Sequence, residues 1–261
     1  MLELRQEHTI ARLLIRRPGK KNAMTEDMWR SLLDHCEGLR RACESAAPDA
    51  PRVLVLQGEG GAFCAGADIG EMQQLVRSAT RMADNNRVVE AAQLALERLP
   101  MPTLAAIDGP CFGGGMGLAS ACDFRVASAR STFAVTPSGL GILYSLPDSR
   151  RLVRLVGDAN ARRLLLRGER IDARTAQHWG LLTDCCEPGE LDDRADALAR
   201  QLAAQSRTSM AGIKAVLAHL GGDPQAPDEA ALRALFTAAF QGPDFAEGAA
   251  AFVDRREPRF R

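Results

Sequence analysis

The chain has 261 residues, 46% of them hydrophobic, enough for one large domain or a domain with a helical appendage. Basic and acidic side chains balance at 33 each, which argues against a nucleic-acid footprint, since that needs a basic excess. No long apolar span of the kind that crosses a membrane is present, and the seven cysteines show no zinc-site spacing. They read as small buried thiols of a reducing compartment, so a cytoplasmic protein without a metal, a membrane partner or a secretory leader is expected.

In chain order, residues 2–16 read as two short strands, and Pro18 to Asn22 as a turn. Thr25 followed by Glu26 and Asp27 predicts a helix start. The helix runs to about Cys43 with Met28, Leu32, Leu33, Cys36 and Leu39 on one face. Residues 52–57 predict a buried strand, 58–68 a glycine-rich loop, and the polar stretch to about Arg98 a helical region broken by Pro100 and Pro102. Strands follow at 103–107 and 124–127, separated by the sequence GPCFGGGMGLASACD from Gly109 to Asp123. Helices are predicted at 147–156, 159–167, 173–179, 190–205, 208–219, 227–240 and 244–254. The expectation is an α/β core over 1–200 and a helical C-terminal region over 201–261.

Two strands thus run into glycine-rich loops that open helices, at 58–68 and at 109–117. A helix N-terminus presents unpaired N–H groups and partial positive charge, and glycine lets backbone approach a ligand. A phosphate loop would need Gly-Lys-Ser/Thr, which is absent, and the spacing is not a dinucleotide fingerprint. A backbone cradle for the oxyanion of a carbonyl compound fits these loops better; tight helix packing explains them equally well on spacing alone.

Four stretches carry a resemblance. Arg17-Pro18-Gly19-Lys20-Lys21-Asn22-Ala23-Met24, Ala62-Phe63-Cys64-Ala65-Gly66-Ala67-Asp68-Ile69, the Gly109–Asp123 stretch and Phe245 to Phe260 resemble, in order, motifs of the enoyl-CoA hydratase/isomerase, or crotonase, family. The resemblance implies a spiral of ββα units with a helical C-terminal trimerisation region, as a homotrimer or a hexamer made as a dimer of trimers. It implies an acyl-CoA thioester as substrate, with coenzyme A part of that substrate and no separate cofactor. The thioester oxygen would sit between the backbone N–H groups of Ala67 and Gly114. Lys21, Ala23, Met24, Ala65, Asp68 and Ile69 would line the coenzyme A path, and Gly113 would be a further substrate-binding residue. Arg255 and Arg256 match a basic pair that can approach coenzyme A phosphates.

The sequence departs from the family where hydratases carry two glutamates that hold and activate water. Those positions are Gly117 and Pro137, and neither residue can transfer a proton. Thr136-Pro137, Leu140-Gly141 and Tyr144 instead resemble the methylmalonyl-CoA decarboxylase branch. Decarboxylation needs an enolate-stabilising site and a later proton but no activated water. Tyr144 is accordingly a candidate to orient a carboxylate or deliver the proton, or a wall residue bonded to backbone. The expected acyl pocket is Gly117, Pro137, Leu140, Ile142 and Tyr144, with extra room beside Gly117 for a bulky acyl chain. Asp148 reads as part of a helix start, with an acid role as the alternative, Asp68 as a helix cap, and Glu71 as facing either solvent or the pocket. Three readings stay open: a decarboxylase or other lyase, a hydratase/isomerase with a substitute acid, and an inactive acyl-CoA-binding protein.

Overall fold

The computed structural model describes residues 1–45, 47 and 49–260. The chain begins with β1 (Leu2–Glu7), β2 (Ile10–Ile15), a short 3-10 turn (Pro18–Lys20) and α1 (Glu26–Glu44). There follow β3 (Val53–Gly58), α2 (Ile69–Leu75), α3 (Ala79–Glu97), β4 (Thr103–Ile107), β5 (Pro110–Phe112) and α4 (Gly114–Ala121). Next come β6 (Phe124–Ser128), β7 (Thr132–Ala134), α5 (Pro137–Leu140), α6 (Leu146–Arg167), β8 (Arg170–Asp172), α7 (Ala173–His178) and β9 (Asp184–Cys186). The chain closes with α8 (Leu191–Ala203), α9 (Arg207–Leu220), α10 (Glu229–Ala239) and α11 (Pro243–Asp254).

The strands form two sheets. One has the order β1-β2-β3-β4-β6-β9, parallel except for the β1–β2 hairpin; the other is β5-β7-β8. Successive turns of chain send one strand to each sheet before a helix returns, as β4-β5-α4 and then β6-β7-α5 do, which is the expected ββα spiral. Both faces of the large sheet are covered at β3 and β4, so those strands are apolar on both sides. Leu54 and Leu56 face the main core with Phe63, Met116 and Phe133, while Val53, Val55 and Leu104 face Leu191, Ala195, Ala199 and Leu202 of α8.

Thr25 caps α1 by accepting from the Met28 N–H, and that helix buries Met28, Trp29, Leu32, Cys36 and Leu39. The predicted polar helical region is two helices, α2 and α3, the second capped by Ser78. The segments predicted at 147–156 and 159–167 join as α6 across a break at Gly157, whose φ of 74° and ψ of 163° are non-helical. Four strands of three residues each, β5, β7, β8 and β9, escape a periodicity reading because three residues carry no usable alternation. The expected boundary between residues 200 and 201 falls inside α8. Beyond it, α9, α10 and α11 bury only Ala251 and expose Phe236, Phe240, Phe245, Phe252 and Val253. No helix among the described residues is long and apolar enough to cross a membrane.

Candidate active site

The two glycine-rich loops meet. The first is held by the 17–24 segment: Ala65 N–H donates to Lys21 O at 2.9 Å, Met24 N–H to Gly66 O at 2.8 Å and Asp68 N–H to Met24 O at 2.9 Å. This short parallel bridge turns the Ala67 N–H away from Met24. Asn22 secures it from beneath. Buried and in the left-handed region at φ 57°, it donates to Glu59 O and Ala62 O at 2.8 and 2.7 Å and accepts from Arg17 N–H at 2.8 Å. Sequence reading gave Asn22 no role, although Asn is one of the few side chains that tolerate that backbone.

The second loop approaches from β5. Gly113 adopts φ 49° and ψ −111°, a conformation closed to residues with a Cβ, and Gly114 opens α4. A Cβ on Gly115 would lie 2.2 Å from Cys64 O, so the residue must be glycine for α4 to rest on the first loop. A Cβ built on Gly114 would stand 3.7 Å from the Ala67 nitrogen and 3.2 Å from the Trp29 ring. Among the described residues no group accepts a hydrogen bond from the Ala67 or Gly114 N–H. Both residues line one cavity of about 120 Å3, walled by Met24, Glu26 and Trp29, by Glu71 and Met72, and by Asn85, Asn86 and Val89.

Of the residues predicted for the site, Met24, Ala67 and Gly114 line this cavity. Ala65 and Gly113 are their half-buried neighbours, Ala23 is buried, Lys21 is exposed and Ile69 is 51% exposed. Asp68 caps α2 by accepting from Glu71 N–H at 3.0 Å and pairs with Arg17 at 2.6 Å. That cap and Arg17 hold its carboxyl below the usual range. Pro137 is buried, while Leu140 and Ile142 stand about half exposed; none of the three lines the cavity. Arg256 is held by Glu247 at 2.6 Å.

Glu71 takes the second of its two expected places and faces the cavity. Half-buried, its carboxylate accepts from the Glu26 N–H at 2.8 Å, so the N-terminus of α1 holds it on the cavity wall. Glu26, read from sequence only as a first-turn acid, lines the same wall and pairs with Arg30 at 2.7 Å. Asn85 is 5% exposed, lines the cavity, and bears no sequence signal.

The expectation of spare room at Gly117 is overturned. A Cβ there would meet the Gln93 amide at 2.2 Å and Asp148 Oδ1 at 2.8 Å, so two side chains already occupy the space. Asp148 is 5% exposed and accepts from Ser145 Oγ at 2.8 Å and from Arg151 at 2.9 Å. With its amide oriented to satisfy both partners, Gln93 donates to both Asp148 oxygens at 3.1 and 3.2 Å. Arg151, itself 3% exposed, continues to Glu97 at 2.7 Å. Burial raises the Asp148 carboxyl against the pull of Arg151. The sequence marked Asp148 at a helix start; the structure makes Ser145 the cap of that helix, accepting from the Asp148 N–H.

Tyr144 lies beside the same cluster. Its hydroxyl donates to Gly113 O at 3.2 Å, and burial, then Asp148, pushes the phenol well above its ordinary range. Cys64, Cys111 and Cys122 are fully enclosed packing groups near the loops, and burial pushes the Cys64 and Cys122 thiols up to about 12.

The family model for enoyl-CoA hydratase/isomerase matches residues 5–261. A Thermus thermophilus protein named as an enoyl-CoA hydratase is 33% identical over the full length of both chains. A mitochondrial Delta(3,5)-Delta(2,4)-dienoyl-CoA isomerase of Dictyostelium discoideum is 29% identical, covering 100% of this chain and 90% of its own. The solved enoyl-CoA hydratase/carnithine racemase of Magnetospirillum magneticum superposes with a TM-score of 0.91 at 32% identity, over 100% of this chain and 95% of that one. With the motifs in order, the loops in contact and the similarity running end to end, the chain belongs to the enoyl-CoA hydratase/isomerase family.

Proposed function

We propose that the protein binds an acyl-CoA thioester and stabilises its enolate between the Ala67 and Gly114 N–H groups, by a route that uses no water-activating pair of glutamates. The observation that carries this reading is the meeting of two unpartnered backbone donors at one cavity, one of them at the N-terminus of α4. Such donors act on charge that develops during reaction, and each is worth roughly 3 kcal/mol of barrier. The stretch from Lys21 to Met24 and Ala65, Asp68 and Ile69 form the proposed path of coenzyme A. The exposed phenyl rings of α10 and α11 support assembly into a homotrimer or a dimer of trimers.

Gly117 and Pro137 favour a lyase step, specifically decarboxylation of a malonyl-type thioester. The bond from the α-carbon to the carboxylate breaks, its electron pair forms the enolate, carbon dioxide leaves, and solvent protonates the α-carbon. A second reading draws on Glu71. A carboxylate held on the cavity wall by a helix N-terminus can accept and return a proton, the step an isomerase requires.

The test is mass spectrometry of the products from a mixed panel of enoyl-CoA and malonyl-type thioesters incubated with the pure protein. Loss of carbon dioxide supports the decarboxylase reading. A shifted double bond that disappears in Glu71→Gln supports the second, and addition of water overturns the claim that no hydration machinery is present. Retention of every thioester unchanged makes the protein an acyl-CoA binder and sinks both catalytic readings.

A further inference from the structure

The Gly113–Gly114 peptide unit carries the proposed oxyanion donor on one side and, on the other, the carbonyl that Tyr144 grips. The peptide is trans, so its C=O and N–H point in opposite directions, and whatever holds the oxygen aims the hydrogen. Gly113 O accepts twice, from the Gly117 N–H at 3.1 Å and from the Tyr144 hydroxyl at 3.2 Å. The Gly113 N–H is tied to Ala134 O at 3.0 Å, which fixes the residue on its other side. Gly113 needs this restraint, because glycine at φ 49° and ψ −111° has no side chain to hold it there.

We infer that Tyr144 is a positioning residue of the oxyanion site: its hydroxyl orients and polarises the Gly113–Gly114 peptide so that the Gly114 N–H is a stronger donor to an enolate oxygen. Hydrogen bonds in series strengthen one another, and the effect is largest where water is excluded. Tyr144 faces Asp148, Arg151 and Cys111, and the phenol stays protonated in that setting, as a donor must. This inference rests on the enolate reading above and assigns the phenol an action through backbone rather than on substrate.

The chain contains a single tyrosine, so biosynthetic incorporation of 3-fluorotyrosine alters position 144 alone. The probe is acetoacetyl-CoA, whose enolate absorbs in the near ultraviolet, titrated with pH while bound. Wild type is expected to enhance enolate formation over the free thioester, Tyr144→Phe to lose roughly tenfold of that enhancement, and the fluorinated protein, a stronger donor, to move the other way. Affinity for butyryl-CoA, which forms no enolate there, should stay within about twofold in all three, separating positioning from a loss of fold. Enhancement that persists unchanged in Tyr144→Phe overturns the role of Tyr144 alone. No enhancement in wild type overturns the oxyanion site and this inference with it. If Tyr144→Phe does not fold, the fluorinated protein decides: an unshifted titration rejects the proposal.

Discussion

The two sides of α4 solve different problems with different materials. At its N-terminus the proposed oxyanion site is made of backbone: Ala67 and Gly114 present N–H groups, and their side chains matter by being small. One turn along, at Gly117, the wall is built from side chains borrowed from α3 and α6, where Gln93 and Asp148 fill the space beside the helix and Arg151 pairs with Asp148 behind them. The contrast teaches that Gly117 leaves no hole. A buried ionic cluster fills the space, and the helix tolerates the cluster because position 117 has no Cβ.

If the cluster is a load on the fold that needs every partner, removing one should cost more than any change in the backbone site. Arg151→Met strands Asp148 at 6% side-chain exposure and is expected to cost about 3–5 kcal/mol by denaturant unfolding at neutral pH. The sign of its pH dependence is set by Asp148. The fold already favours the protonated carboxyl, and without Arg151 more so. The deficit is therefore full above the raised titration and shrinks as pH falls through it. A deficit that grows on acidification would show that Asp148 remains charged and satisfied by Ser145 and Gln93 alone.

Gly115→Ala tests the backbone side, where a Cβ meets the Cys64 carbonyl rather than a movable side chain. About 3 kcal/mol of destabilisation is expected, with weakened acyl-CoA binding in calorimetry because the two loops are pushed apart. Gly117→Glu bears on both sides at once. It is expected to lose about 2 kcal/mol of stability and to gain no hydration activity against a crotonyl-type thioester, since the new carboxylate must displace Gln93 and crowd Asp148. A gain in water addition would mean the cluster yields and the family geometry is recoverable. Ser145→Ala removes the cap of α6 and one donor to Asp148, for about 1 kcal/mol in thermal unfolding. The exposed pair on the same helix, Arg162 with Asp158, sets the lower bound: Arg162→Ala should give the smallest change in thermal stability of the series.

Much of this architecture was legible from residue order. Thr25, Asp68 and the α1 face declare themselves through capping and periodicity, and the two strand–glycine–helix junctions name both proposed oxyanion donors. The cavity lining was only partly legible. Glu71 was one of two open choices, Glu26 and Asn85 line the cavity without any motif that singles them out, and Leu140 and Ile142, expected in the acyl pocket, stand about half exposed outside it. A helix acid is the same letter whether it faces water or a cavity, and only the crossing of α1, α2 and α3 decides which.

By itself the sequence determined what backbone conformation dictates: where helices begin, which strands are buried on both faces, and which glycines let two loops touch. Those are local properties, written in the torsional freedom and hydrophobic spacing of neighbouring residues. Tertiary structure alone decided what fills the space beside Gly117, that the Tyr144 hydroxyl grips the peptide of Gly114, and that Asn22 holds a loop through Glu59 and Ala62, 37 and 40 residues away. These are contacts between segments remote in the chain, and their energies depend on burial and orientation that no single segment encodes.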